Sequence, residues 1–198
     1  VVGSVSQALS PSSLEEKALL RQLGEFAAKT SQRPDCKAQT LIDWLKKNLR
    51  PGGKWNEERV IIFTEYRATQ KWLFDLLARE KFAEEGRLEM IYGGMPNDQR
   101  EPIKAAFQTH PKESAVRILL ATDAASEGVN LQNHCSKLIH FEIPWNPNRM
   151  EQRNGRVDRH GQKADEVHIH HFVGRGFDTA GVSGKVGDLE GDLEFLMR

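Results

Sequence analysis

The sequence predicts an α/β protein built on a parallel sheet with helices on both faces. Three observations carry this. From residue 58 onward, short aliphatic or β-branched runs alternate with amphipathic stretches; strands separated by roughly 10–15-residue helical patterns are the signature of βαβ units. The run Val60-Ile61-Ile62-Phe63 is continuously apolar, as a strand covered on both faces must be. The strand patterns also break into polar or small residues at their carboxyl ends, at Thr64, Tyr92, Thr122 and Glu142. That is the edge at which parallel sheets gather ligands. With 198 residues, 38% of them hydrophobic and 28% charged, the chain is long enough for one good core and a helical appendage.

In chain order, residues 1–12 are polar and Ser-rich, a loose end. Ser13-Leu14-Glu15-Glu16 fits a capping box, and Leu14, Ala18, Leu19, Leu23 and Phe26 supply the apolar stripe of the helix it starts. A second helix is expected over 35–49, burying Leu41, Trp44, Leu45 and Leu49 and ended by Arg50-Pro51-Gly52-Gly53. Strands are expected at 59–64, 88–92, 116–122, 137–141 and 167–172. Helices are expected at 68–80, 98–109 and 148–159, with a short turn of helix at 124–127. After Val173 the chain turns Gly-rich and then apolar over 193–197. The division is therefore a helical segment and linker over 1–57, the α/β domain over 58–173, and a Gly-rich linker into a further element over 174–198. The start, Val1-Val2-Gly3, has neither an initiator Met nor a basic leader, and it reads as a piece of a longer protein.

Composition removes several function classes. Lys+Arg equal Asp+Glu, so net charge is zero, which argues against wholesale polybasic binding but permits a local basic site. Cys36 and Cys135 are the only cysteines, read as reduced thiols of a cytoplasmic protein. No apolar stretch approaches the roughly 18–20 residues of a membrane span. A phosphate loop fails: Gly184-Lys185 has Thr179 and Val186 at its flanking positions, and Gly53-Lys54 has Asn48 and Trp55. The dinucleotide fingerprint fails at Thr179. His168 and His170 share a strand face and His171 points away, without a Cys or carboxylate partner nearby, so no metal site is expected.

The densest signal is the run from Arg149 to Gln162. If it is helical to a Gly161 stop, Arg149, Gln152, Arg153, Arg156 and Arg159 fall at separations of three and four, within a sector of about 120°. No run of acids on that stripe relieves the repulsion. Such a face suits a polyanion, above all phosphate, where a charge run alone would read as a solvated surface.

Its neighbours complete an ordered series: Val60 to Tyr66; Ile91-Tyr92-Gly93-Gly94-Met95, with Arg100, Ile103 and Phe107 following at helical spacing; Leu119 to Gln132, containing Ala121-Thr122-Asp123-Ala124-Ala125-Ser126-Glu127-Gly128; and His140 to Arg149, containing Trp145-Asn146-Pro147. In this order and spacing the segments resemble the second, C-terminal RecA-like lobe of superfamily-2 helicases, and more closely the Swi/Snf-type helicase-like ATPases. Residues 60–66 resemble motif IV, 121–132 motif V and 151–162 motif VI; the resemblance covers roughly 36–173. Glu-Gln-Arg-x-Gly-Arg-x-Asp-Arg is most similar to bacterial members, including the RNA-polymerase-associated ATPase. Ala-Ser-Glu-Gly in motif V departs from the more glycine-rich form of chromatin remodellers.

The resemblance implies roles residue by residue. Arg156 and Arg159 match the two arginine fingers that reach the γ-phosphate of ATP across the interlobe cleft. Gln152 matches the motif VI glutamine on the nucleotide side. Gly128 and Asn130 match motif V positions near the ribose, although Gly128 reads equally as a turn glycine. Thr64 and Thr122 match positions that touch nucleic-acid phosphate. Trp145 matches a DNA-contacting tryptophan, with a core aromatic anchoring the Pro144/Pro147 loop as the other reading. ATP and Mg2+ would be held mainly by a first, N-terminal RecA-like lobe of the same parent chain. The implied partners are that lobe, double-stranded DNA and RNA polymerase or another protein complex, in the bacterial cytoplasm at the nucleoid. Rival readings are another superfamily-2 enzyme, such as an RNA helicase or a restriction or phage-defence motor, and a non-catalytic adaptor that keeps the fold.

Overall fold

The computed structural model describes residues 13–30, 33–123 and 131–173, and the chain divides into two compact units, Val1–Cys36 and Lys37–Arg198. The first contains helix α1 (Leu14–Thr30). Its capping box forms as expected: Ser13 N donates to Glu16 Oε2 at 2.8 Å and Glu16 N donates to Ser13 Oγ at 3.1 Å.

The second unit holds all but the first residue of helix α2 (Cys36–Asn48), strands β1 (Val60–Thr64), β2 (Leu88–Ile91), β3 (Ile118–Thr122), β4 (Lys137–His140) and β5 (His168–His171), and helices α3 (Arg67–Arg79), α4 (Asn97–Gln108) and α5 (Pro147–Asn154). All pairings are parallel, in the order β2-β3-β1-β4-β5. The expected α/β architecture with both faces covered is present. Alternate residues of β1 enter two separate cores. Val60 and Ile62 pack with Leu41, Ile42 and Leu45 of α2 and Leu73, Leu76 and Leu77 of α3. Ile61 and Phe63 pack with Phe107 of α4, Leu119, Leu138 and Val157. Right-handed crossovers require this division. The chain leaves β1 through α3 to the edge strand β2 and returns through α4 to β3, so reversing direction puts the second helix on the opposite face.

The α/β pattern changes at residue 58, yet the compact unit begins at Lys37. The reason is α2, whose Ala38, Leu41, Ile42 and Leu45 are fully buried in the core beneath β1. The end of α2 agrees with expectation: a 3-10 turn over Pro51–Gly53 follows, with Gly52 at φ 62° and Gly53 at φ 82°. No described helix is long and apolar enough to cross a membrane.

The arginine segment requires a correction. Expected as helix to 159, it is helical only as α5, which ends at Asn154. Asn146 Oδ1 caps its start by accepting from Asn148 N at 2.9 Å, and Pro147 opens the first turn. Beyond Gly155, a poor helix residue, Val157 N and Asp158 N both donate back to Asn154 O, at 3.0 and 2.9 Å. Val157 is fully buried in the second core, and Gln162 Nε2 closes the turn by donating to Val157 O at 2.8 Å and Cys135 O at 3.0 Å. Arg156 and Arg159 therefore do not share a helical stripe with Arg149.

At the amino edge of the sheet, Arg59 is 1% exposed. Its guanidinium donates to Val116 O at 3.0 Å, to Thr109 O at 2.6 Å and to Phe107 O, gathering the carbonyls at the end of α4. Burial lowers its pKa to about 10, still charged at neutral pH. Arg59→Met should lower unfolding free energy by about 3 kcal/mol, because several buried carbonyls lose their donor. Urea denaturation checks this, and a loss below about 1 kcal/mol would show that those carbonyls find other donors.

Candidate functional site

A cleft of about 390 Å³ opens at the carboxyl edge of the sheet, the end the strand pattern marked. Four successive chain segments build it. Glu65 and Arg67 follow β1, Tyr92 and Gly93 follow β2, Thr122 ends β3 and Asp123 follows it, and Arg149, Gln152, Arg153 and Arg156 come from α5 and the turn after it.

Arg153 is 1% exposed and faces inward, which corrects the reading of an unrelieved arginine stripe. Its Nε donates to Asp123 Oδ1 at 2.5 Å and its Nη2 to Oδ2 at 3.0 Å, a two-pronged pair across 30 residues of sequence. Nη1 donates to Glu142 O at 2.8 Å, and the guanidinium lies 5.4 Å from the Phe63 ring centre. Arg149 approaches the same carboxylate, Nη1 to Oδ2 at 3.9 Å. The acid that neutralises the arginine segment thus comes from the residue just after β3, where no local spacing rule would find it.

His140 supports this pair from beneath. It is fully buried, with Nε2 2.8 Å from Asn154 Oδ1 and Nδ1 3.5 Å from Arg153 Nη1. Both neighbours suit a neutral ring that donates from Nε2 and accepts at Nδ1. The ring stacks on His171 at 4.7 Å, and burial pushes its pKa down to about 4.

Glu142, noted in the sequence only as a strand end, caps α3. Its Oε2 accepts from Glu65 N at 2.7 Å and its Oε1 from Thr69 Oγ1 at 3.0 Å, placing a carboxylate at the positive end of that helix. Buried Gln70 donates from Nε2 to Ile91 O at 2.9 Å and to Leu120 O at 3.0 Å, joining α3 to the ends of β2 and β3.

The structure brings three of the expected site residues together in the cleft: Thr122, Gln152 and Arg156. Thr122 Oγ1 accepts from Gly93 N at 3.3 Å. Arg156 Nε is buried and has no hydrogen-bond partner among the described residues. Thr64 sits one strand away, fully buried, with its Oγ1 likewise unpartnered among the described residues. Arg159 is exposed on the turn after α5, outside the cleft lining. Trp145 is 68% exposed, which removes its reading as a core aromatic. Gly128 and Asn130 lie outside the described residues. The described residues contain no group of three or more His, Cys, Asp or Glu able to hold a metal ion. Cys36 and Cys135 are both thiols, and burial raises Cys135 to about 12, which leaves it unreactive.

The sequence marked Tyr92 and Glu142 only as strand ends and gave no site role to them or to Asp123 and Arg67. Their one legible signal was position, each at or just after the carboxyl end of a strand.

Two measurements probe this geometry. Asp123→Asn strands a buried guanidinium and should cost about 3 kcal/mol of stability. The double change Asp123→Asn with Arg153→Met should cost clearly less than the sum of the single changes, and additivity would show that the pair is not coupled. His140 binds its proton more weakly folded, at about pH 4, than at its ordinary value of 6.5. Its contribution is therefore full above pH 6.5 and is lost as pH falls toward 4, while the unfolded chain alone takes up the proton. Burial lowers His170 and His171 in the same direction. Unfolding free energies from pH 7 to 4 should fall less steeply in His140→Gln, and an identical slope would remove His140 as a source.

The model of the helicase conserved C-terminal domain matches residues 37–161. The uncharacterized ATP-dependent helicase YqhH of Bacillus subtilis is 36% identical over 139 residues, covering 69% of this chain and 21% of that protein. The RNA polymerase-associated protein RapA of Vibrio vulnificus is 32% identical over 142 residues, covering 71% of this chain and 13% of that protein. The chain thus spans about a fifth or less of these relatives. Among solved structures, the C-terminal part of the Fun30 ATPase domain superposes with a TM-score of 0.60 at 21% identity, covering 72% of this chain and 42% of that one. Domain 2 of the DEAD-box helicase Mss116p, bound to an RNA duplex, gives 0.54 at 18% identity, covering 68% and 50%. At these identities the structural likeness concerns the fold, a RecA-like parallel sheet. The extent of the family match places the chain in the helicase conserved C-terminal domain family.

Proposed function

We propose that this domain is the second lobe of a bacterial, ATP-dependent double-stranded DNA translocase of the Swi/Snf type, working in the cytoplasm. The observation that carries the reading is Arg156: a cleft-lining arginine whose buried Nε has no partner among the described residues. Its neighbour Arg153 is already engaged by Asp123, so of these two arginines Arg156 is the one assigned here to an anion brought from outside.

The residues fit the triphosphate end of ATP. Arg156 would hold charge developing on the transferred phosphoryl oxygens, as arginine fingers do. Gln152 lies beside it on the same rim. Arg159, on the exposed turn, would act as the second finger, and Gly128 and Asn130 would lie against the ribose. ATP supplies the phosphoryl group. The Mg2+ and most nucleotide affinity would come from a first lobe of the parent chain. Thr64, Thr122 and Trp145 would contribute to a DNA track that reads phosphates and not bases. RapA is described as RNA polymerase-associated, and a polymerase complex is the partner class proposed here.

In the full-length parent, Arg156→Ala should lower DNA-stimulated ATP hydrolysis by about 10³-fold or more while DNA affinity is retained. Arg159→Ala should do the same. Wild-type turnover in either variant would remove that residue from the role. The 198-residue chain alone should show no appreciable turnover. Stimulation of the parent by duplex DNA, but not equally by single strands or RNA, separates this reading from an RNA helicase.

A further inference from the structure

Helix α5 is only eight residues long, too short to hold a direction on its own. What fixes it lies at its last turn, where two neighbouring residues are tethered to the sheet. Arg153 reaches Asp123 and Glu142 O. Asn154 reaches His140, its Oδ1 accepting from Nε2 of the neutral ring at 2.8 Å. That donor is held rigidly. His140 ends β4 and pairs in register with Phe63 of β1 on one side and His171 of β5 on the other. Both neighbours lay rings against the imidazole, Phe63 at 6.3 Å and His171 at 4.7 Å between ring centres, inclined by 27° and 10°. A ring stacked from two strands keeps its plane, so its N–H points in one direction.

Asn154 passes this constraint on to the turn that follows. Its carbonyl accepts from both Val157 N and Asp158 N, at 3.0 and 2.9 Å, so the chain folds back over it with Arg156 in between. Arg156 N donates to Arg153 O at 3.0 Å and Arg156 O accepts from Leu131 N at 3.3 Å, while its Nε is unpartnered among the described residues. Its approach to the cleft is therefore set by where the backbone of residues 153–157 sits.

Stability alone gives no reason for a polar pair here. Burying an imidazole against an amide carries a desolvation cost that one hydrogen bond roughly offsets, and two apolar side chains of similar shape would serve the core nearly as well. An apolar contact is non-directional, whereas a hydrogen bond fixes distance and angle. A misplacement of about 1 Å in a reacting geometry can cost about a hundredfold in rate, so direction is what the pair supplies.

We infer that Asn154, oriented by His140, is a positioning residue for ATP hydrolysis: their hydrogen bond sets the turn that aims Arg156 at the transferred phosphoryl group. The inference rests on the role proposed above for Arg156. Neither His140 nor Asn154 lines the cleft; both act through the arginine. A finger meets charge that develops in the transition state, so loss of its aim falls on kcat and spares KM for ATP and DNA affinity.

The test uses the full-length parent, with DNA-stimulated ATP hydrolysis and thermal unfolding measured on the wild type, Arg156→Ala, Asn154→Leu, His140→Leu and the double leucine variant. Each single leucine variant should lose about thirtyfold in kcat, with KM for ATP and DNA affinity within about twofold of wild type. The double variant restores a matched apolar pair and should regain most of the lost thermal stability. Its kcat should stay as low as in either single variant and not fall to the product of the two losses. A pair that served only the fold would behave oppositely, with kcat per folded molecule near wild type throughout. His140→Gln keeps an N–H donor and should retain kcat within about threefold. Asn154→Ala removes the acceptor with less crowding, should show the same loss, and replaces Asn154→Leu if that variant does not fold. Wild-type kcat in Asn154→Leu or Asn154→Ala, or recovery of kcat together with stability in the double variant, overturns the inference; with Arg156→Ala inactive, the motor function still stands. Normal turnover in Arg156→Ala, or no ATP hydrolysis by the wild-type parent, overturns both.

Discussion

A carboxylate just beyond one strand and an arginine on a distant short helix hold the cleft edge of this domain together. Asp123 and Arg153 are joined by two hydrogen bonds in a site where Arg153 is almost wholly shielded from water. A charge buried this deeply is tolerable only with its partner in place, so the end of β3 and the position of α5 become a single mechanical condition. His140 and Glu142 O add further contacts to the same guanidinium. These contacts connect β4 to the pair. The ends of β3 and β4 and helix α5 thus meet at one charge.

The pair also sorts the arginines. With Arg153 turned inward, Gly155 ending the helix and Val157 in the core, Arg156 is carried to the cleft with its Nε unpartnered among the described residues. A continuous helix would have arrayed the guanidiniums as a uniform basic face. The observed turn instead gives each a different neighbour. Arg153 has a structural partner, Arg156 a cleft, and Arg149 a longer contact of 3.9 Å with Asp123. The other rim follows a similar pattern: Glu142 caps α3, Gln70 ties strand ends, and Arg67 is fixed on Tyr92.

Much of this was legible in the residues. The apolar run of β1, the alternation of strands and helices, the capping box at Ser13 and the Asn-Pro start of α5 follow local rules of periodicity and capping, which act within a few residues. The edge of the sheet where the cleft opens was legible too, at Thr64, Tyr92, Thr122 and Glu142, because a polar group ending a buried strand is costly unless it meets water, a partner or a ligand. The end of the arginine helix was not, since wheel arithmetic assumes continued helix and cannot weigh a glycine against burial of Val157. Nor was the fate of Trp145, whose exposure depends on how the loop between Pro144 and Pro147 leaves the sheet.

The sequence by itself determined the fold class, the family resemblance and the edge of the sheet at which the cleft opens, because these depend on hydrophobic period and on motif order along the chain. Only the tertiary structure decided which charges are partners. Asp123 and Arg153 are 30 residues apart, and Arg67 and Tyr92 lie on different elements. A pairing energy falls off over a few ångströms of space, and distance in space is set by the strand order β2-β3-β1-β4-β5, which no local pattern in the chain spells out.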